Sequence, residues 1–186
     1  LEKQEWEKAR DYFQAFLKDQ EGDSKTYEAL GRAWLELGDL EKAQTYIDKA
    51  LVLDPGNAEA YTTLLGIHEK KGNWIEGLDA RDKALKLNPK SARAYYYAGQ
   101  LYLGQMLVDE AMDSFEKVLK LDPGYPHLHE ELGRAFFEAG LLDQAAGHFQ
   151  KAIEKNPKNL QAHLGIAECY QKKGMTQKAI PAFENL

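Results

Sequence analysis

The sequence predicts an all-α solenoid, a stack of antiparallel helix pairs. Three observations point there. Pro55, Pro89, Pro123 and Pro157 recur every 34 residues, and a fixed period of that length means one supersecondary unit repeated along the chain. Within a period, apolar and small residues fall at i, i+3, i+4 and i+7, as in Tyr27, Leu30, Gly31 and Trp34, which makes one face of a helix. A second such face follows a glycine, as in Ala43, Ile47 and Ala50 after Gly38.

Taken in order, residues 1–23 carry Trp6, Ala9, Phe13 and Phe16 at helical spacing and read as the second helix of a repeat whose first helix is missing. Residues 24–57, 58–91, 92–125 and 126–159 are four complete repeats, and 160–186 is most of a fifth; all form one solenoid domain. Asp23, Asn57, Ser91 and Asn159 stand where a side-chain oxygen would cap the first helix of the next repeat. Pro126 suits the first turn of its helix. The column Gly31, Leu65, Gly99, Gly133 and Ala167 is mostly small, and faces the column Ala43, Gly77, Ala111, Ala145 and Ala179 where the two helices should cross most closely. Between them, Gly38, Gly72, Gly140 and Gly174 are predicted to end the first helix in a left-handed cap. In the third repeat Met106 holds that column and Gly104 lies two residues earlier, so its turn should differ.

The second helices then run to Asp54–Pro55, Asn88–Pro89, Asp122–Pro123 and Asn156–Pro157, where the residue before proline is driven out of helical geometry. The second repeat departs most: Leu65 stands in the small column, His68 in an aromatic one, and Arg81 in a bulky apolar one. Arg81 is predicted to lay its stem on the repeat, over Tyr61, with its head in water. Pro181 removes a hydrogen bond inside the last helix, at about 3 kcal/mol in a regular interior, so that end should kink or fray.

Composition excludes several classes. The chain has 186 residues, 44% hydrophobic, and a net charge of −6. Charges of both signs are mixed, and no basic face exists to neutralise phosphates, which argues against nucleic acid. No apolar run is long enough to insert in a bilayer. The single cysteine, Cys169, excludes an internal disulfide and suits a reducing compartment such as the cytoplasm. Beginning at Leu1 and ending within a predicted helix, the sequence reads as a piece of a longer protein. It holds no glycine-rich phosphate loop and no nucleophile elbow. His127 and His129, two apart on a helix, point to different faces and cannot share an ion, and protein zinc sites need three or four converging ligands. Cys169 has no histidine at helical spacing and reads as a small buried residue. No catalytic residue, metal or cofactor is expected.

The pattern small–x–x–aromatic, then Ala–x–x–x–aromatic, then Pro, resembles the tetratricopeptide repeat (TPR) family over nearly the whole chain. The resemblance implies a right-handed superhelix whose first helices line a concave face, and a scaffold that binds a protein or peptide there. Carried over residue by residue, the groove positions include Glu28 and Arg32, Glu59 and Thr62, Arg93, Tyr96, Gln100 and Leu103, Glu130, Arg134 and Phe137, and Gln161, Leu164 and Glu168. Arg32, Thr62, Tyr96, Gln100, Leu103, Glu130, Arg134 and Phe137 are the predicted binding set, because aromatics and arginine dominate interface energies. The plainer reading is that Tyr96 and Tyr97 cover the core and that Arg134 pairs with Glu130 or Glu138 at helical spacing.

The family's chaperone-tail clamp would place lysine and asparagine at Glu28 and Arg32 and asparagine at Thr63, so it is absent here. The asparagine ladder of its glycosyltransferase variant would run through Ala29, Thr63, Tyr97, Glu131 and Gly165, and is absent too. Two alternatives stand beside groove binding. One is self-association into a homo-oligomer through Trp6, Ala9 and Phe13, left without a partner helix. The other is a targeting module of a larger protein.

Overall fold

The computed structural model describes residues 2–19, 21–125 and 127–184. These residues form eleven α-helices and no strand. Contacts divide the chain into two compact units, Leu1–Leu101 and Tyr102–Leu186.

The first unit contains α1 (Glu2–Asp19), α2 (Ser24–Leu37), α3 (Leu40–Leu53), α4 (Ala58–Lys71), α5 (Trp74–Leu87) and α6 (Ala92–Gly104) as far as Leu101. From α1 to α5 each helix packs on the next, and α2 packs on α4 as well. The helix starts are capped as the sequence predicts. The Asp23 carboxylate accepts from the Thr26 amide at 2.8 Å, the Asn57 side chain from the Ala60 amide at 3.0 Å, and the Ser91 hydroxyl from the Ala94 amide at 3.2 Å. Asn57 also donates through Nδ2 to Ser24 Oγ at 2.8 Å, and Ser24 donates to the Ala50 carbonyl at 2.8 Å. One side-chain relay thus ties the start of α4 to the start of α2 and the end of α3.

Leu30, Ile47, Ala50, Leu65 and Ala84, on the predicted faces, are fully buried, and Ala33 and Ile67 join them. Gly31 is small because α3 is close. A Cβ there would lie 2.7 Å from Ile47 Cδ1 and 3.2 Å from the Ala43 carbonyl. Arg81 forms an ion pair with Asp82 at 2.6 Å, and Lys83 sets its ammonium 5.6 Å from the centre of the Tyr61 ring.

The second unit begins with the last turn of α6 and continues with α7 (Val108–Leu121), α8 (Leu128–Glu138), α9 (Leu142–Lys155), α10 (Leu160–Lys172) and α11 (Thr176–Glu184). From α7 onward each helix packs on the next, and α8 packs on α10. The turn glycines take the expected left-handed geometry in both units, with φ of 85° at Gly38, 71° at Gly72, 75° at Gly140 and 70° at Gly174. The third repeat differs as its sequence foretells: Met106 itself adopts φ 58°, a conformation that crowds an L side chain. The turn still closes, because Met106 N–H reaches the Leu103 carbonyl and Leu107 N–H the Tyr102 carbonyl, both at 3.0 Å.

Pro126 lies outside the described residues. Helix α8 begins at Leu128, after His127 in left-handed geometry with φ 58°. Helix α11 continues past position 181 to Glu184, so the proline does not end it.

Candidate functional site

In the first unit, the first-helix faces that were predicted to bind are largely occupied by their own side chains. Arg93 on α6 donates through Nη2 to Glu59 Oε2 at 2.6 Å and to Glu28 Oε1 at 3.3 Å. Thr63 donates its hydroxyl to the same Glu28 oxygen at 2.8 Å. The Arg93 and Glu28 side chains are each only 13% exposed, so three helices are bound together by one half-enclosed charge network. Tyr97 is buried and donates to Glu36 Oε1 at 3.0 Å. Its ring fills the space over Gly66, where a Cβ would stand 2.9 Å from Cζ of Tyr97 and 3.0 Å from Cδ2 of Leu35.

The individual predicted residues follow suit. Thr62 is fully buried and returns its hydroxyl to the Ala58 carbonyl at 3.0 Å, so no ligand can reach it in this arrangement. Tyr96 is half-buried and accepts from Gln100 Nε2 at 3.1 Å. Arg32 is also half-buried, with its guanidinium 5.1 Å from the centre of the Trp6 ring. That contact joins a predicted groove residue to the predicted self-association strip. Trp6, Ala9 and Phe13 are half-buried, since α1 lies against α2.

In the second unit the first-helix faces leave a cleft. Leu103 is half-buried in the last turn of α6. Glu130, Arg134 and Phe137 line one cleft between α8 and α10, of about 270 Å³, together with Glu131, Glu138, Phe149, Gln161, Leu164, Gly165 and Glu168. The Phe149 ring forms its floor for a stereochemical reason. It is held between two glycines, and a Cβ would meet the ring at 2.6 Å from Gly133 and at 2.5 Å from Gly165. Arg134 is half exposed and pairs with Glu131 at 2.6 Å. Asn159 caps α10 by accepting from the Ala162 amide at 3.0 Å, and its Nδ2 donates to Glu130 Oε2 at 2.7 Å. The cap of one helix thereby fixes a carboxylate on the rim of the cleft. Lys172 lays its ammonium 3.8 Å from the centre of the Phe137 ring.

Sequence reasoning named most of this lining but missed Glu138, Phe149 and Gly165 as parts of it. A signal was present: Gly165 is the glycine in a column that otherwise reads Ala29, Thr63, Tyr97 and Glu131. Phe149 is buried, and nothing in its spacing shows that it also borders a cleft.

Among the described residues, no three histidine, cysteine, aspartate or glutamate side chains converge as a metal site requires. His129 does meet a partner, His148 of α9, with their Nδ1 atoms 3.2 Å apart, so one ring must donate and the other accept. Phe136 stacks on His148 at 5.1 Å. Burial first, then His129 and Lys151, pushes His148 down to about 4. Cys169 is buried, and burial chiefly pushes its thiol up to about 11, which leaves it unreactive. No helix among the described residues is long and apolar enough to cross a membrane.

Known proteins agree with this architecture. A sequence profile described as "Tetratricopeptide repeat" matches residues 1–58 and 67–126, more than half of the chain, and a second of the same description matches 136–186. None of the curated protein sequences compared with the chain matches it. Among solved structures, pilF of Pseudomonas aeruginosa superimposes with a TM-score of 0.77 at 24% identity, over 87% of this chain and 74% of that one. TTC0263 of Thermus thermophilus, a thermophilic TPR protein, does so with a TM-score of 0.75 at 23% identity, over 89% and 91%. YrrB, described as "a TPR protein with an unusual peptide-binding site", gives 0.70 at 22% identity, over 95% and 91%. With helix pairs in a 34-residue register, the predicted caps in place and the profile matched over most of its length, the chain belongs to the tetratricopeptide repeat family.

Proposed function

We propose that this protein-interaction scaffold holds an extended peptide or a helix of its partner in the cleft between α8 and α10. Arg134, Phe137 and Glu130 are the contacts from α8. The observation that carries this reading is the cleft between α8 and α10, into whose floor the Phe149 ring packs by taking the space a side chain at Gly165 would need. A rigid cleft that already has its shape loses little entropy on binding, which favours a static, complementary fit over catalysis. The peptide-binding site in the description of YrrB is consistent with a groove of this kind in a chain of similar fold.

A photocrosslinking amino acid placed at position 137 should capture the partner, whereas the same residue at position 150, exposed on the second helix α9, should not. Capture at 150 and not at 137 would move binding to the second-helix surface. A second reading, self-association through α1, draws on Tyr12, which is 68% exposed. Sedimentation of the wild type beside Tyr12→Glu tests it: a monomer mass at every concentration removes this alternative.

A further inference from the structure

Resting on the cleft reading above, we infer that the occupant is a cationic segment, one that brings lysine or arginine to Glu138 and Glu168 and sets an apolar side chain against Phe149 and Leu164. The lining carries four carboxylates, Glu130, Glu131, Glu138 and Glu168, against one guanidinium, Arg134. Their existing partners leave the excess in place. Arg134 is engaged with Glu131. Glu130 is held by the amide of Asn159, which orients the carboxylate without neutralising it, and its ring neighbour His127 is 3.8 Å away. The ion pairs of this region, His127–Glu130, Arg134–Glu131 and Lys173–Asp143, involve neither Glu138 nor Glu168.

A cleft with low-dielectric walls and charges of one sign focuses its field on whatever enters. Complementary charge then selects the partner and speeds encounter, while like charge repels the wrong one. The floor supplies the other half of the recognition. Phe149, Leu164 and the Phe137 ring are apolar, so a segment carrying charge alone would leave them wet. The Phe137 ring already bears an ammonium on its face, that of Lys172, in the geometry through which aromatic rings attract cations. With Lys172 counted beside Arg134, the four carboxylates still outnumber the two cations. The first-unit faces offer no equivalent, because Glu28 and Glu59 are there joined to Arg93.

The test is a library of random linear peptides displayed on phage, selected on the whole chain and sequenced. The peptides recovered are then measured by fluorescence anisotropy at low and high salt. Peptides rich in lysine and arginine with one large apolar residue are expected, weakening as salt rises. Removing two partly exposed charges with Glu138→Gln/Glu168→Gln should weaken them roughly tenfold. Gln161→Lys, at an exposed rim position, should weaken them as well and guards against misfolding of the other variants, each of which is checked by circular dichroism. Neutral or acidic peptides that are lost with Phe137→Ala would overturn the cationic inference and leave the cleft reading standing. Basic peptides that need Phe137 but ignore both charge variants would do the same. Peptides indifferent to Phe137→Ala and Gln161→Lys, or no peptides at all, would overturn both.

Discussion

The two units take the same repeat pattern and use the same column in opposite ways. In the first unit that column holds Thr63 and Tyr97, and both turn inward to other first helices: Thr63 to Glu28, Tyr97 to Glu36 and over Gly66. In the second unit the corresponding residue of α10 is Gly165, and a cleft remains. Arginine differs likewise. Arg93 is 13% exposed and bridges two glutamates on other helices, whereas Arg134 is 52% exposed and pairs within its own helix. The lesson is that a repeat fold sets where a groove can be, and single residues in one column decide whether it is filled by the protein itself or left for a partner.

The largest expected effect breaks the first unit's network. Arg93→Met should destabilise by about 2–3 kcal/mol, because it strands the half-enclosed Glu28. Chemical denaturation measures it, and a neutral result would mean the network does not hold these helices together. Next, Gly165→Ala should destabilise by about 1–3 kcal/mol through overpacking against Phe149. The double variant Gly165→Ala/Phe149→Leu should regain part of the loss by shrinking the ring that the new methyl meets, and failure to do so would place the strain elsewhere. Gly147→Ala, with nothing within 4 Å of its Cβ, should instead stabilise by roughly 0.5–1 kcal/mol.

Met106→Gly should stabilise by about 1 kcal/mol, because glycine adopts left-handed geometry without the side-chain clash. The melting temperature should rise, and Gly140→Met, which makes the opposite change at an equivalent turn, should lower it.

Acid should separate the units more gently. His148 is depressed in the folded state, so its neutral form contributes stability that is complete above the unfolded histidine value near 6.5 and lost as pH falls towards about 4. His129 is lowered too, by burial first and by Lys155 and Lys151. Both rings cannot be protonated while their Nδ1 atoms share a hydrogen bond. Replacing His148→Phe should therefore flatten the decline of melting temperature between those limits. In the first unit His68, also lowered chiefly by burial, supplies a slope that this variant leaves untouched. The smallest effect belongs to Arg134→Met, below about 1 kcal/mol for a half-exposed pair. A larger loss would erase the contrast with Arg93.

Much was legible from the chain alone. The 34-residue period fixed the number and pairing of helices, because a helix pair can bury its apolar faces only against its neighbours. Caps and turns were legible at single positions: Asn57, Asn159 and the four left-handed glycines act through backbone groups a few residues away. Even the irregular turn at Met106 could be read, since the missing glycine is a local fact. Tertiary structure alone decided what depends on the distance between side chains far apart in sequence. Arg93 finds Glu28 across 65 positions, His129 meets His148 across two helices, and Thr62 is fully buried where its column predicts a groove wall. The cleft itself belongs to this class. Periodicity assigns a residue to a face, but whether a face is filled or open depends on how far neighbouring side chains reach across it, and that is a property of packing in three dimensions.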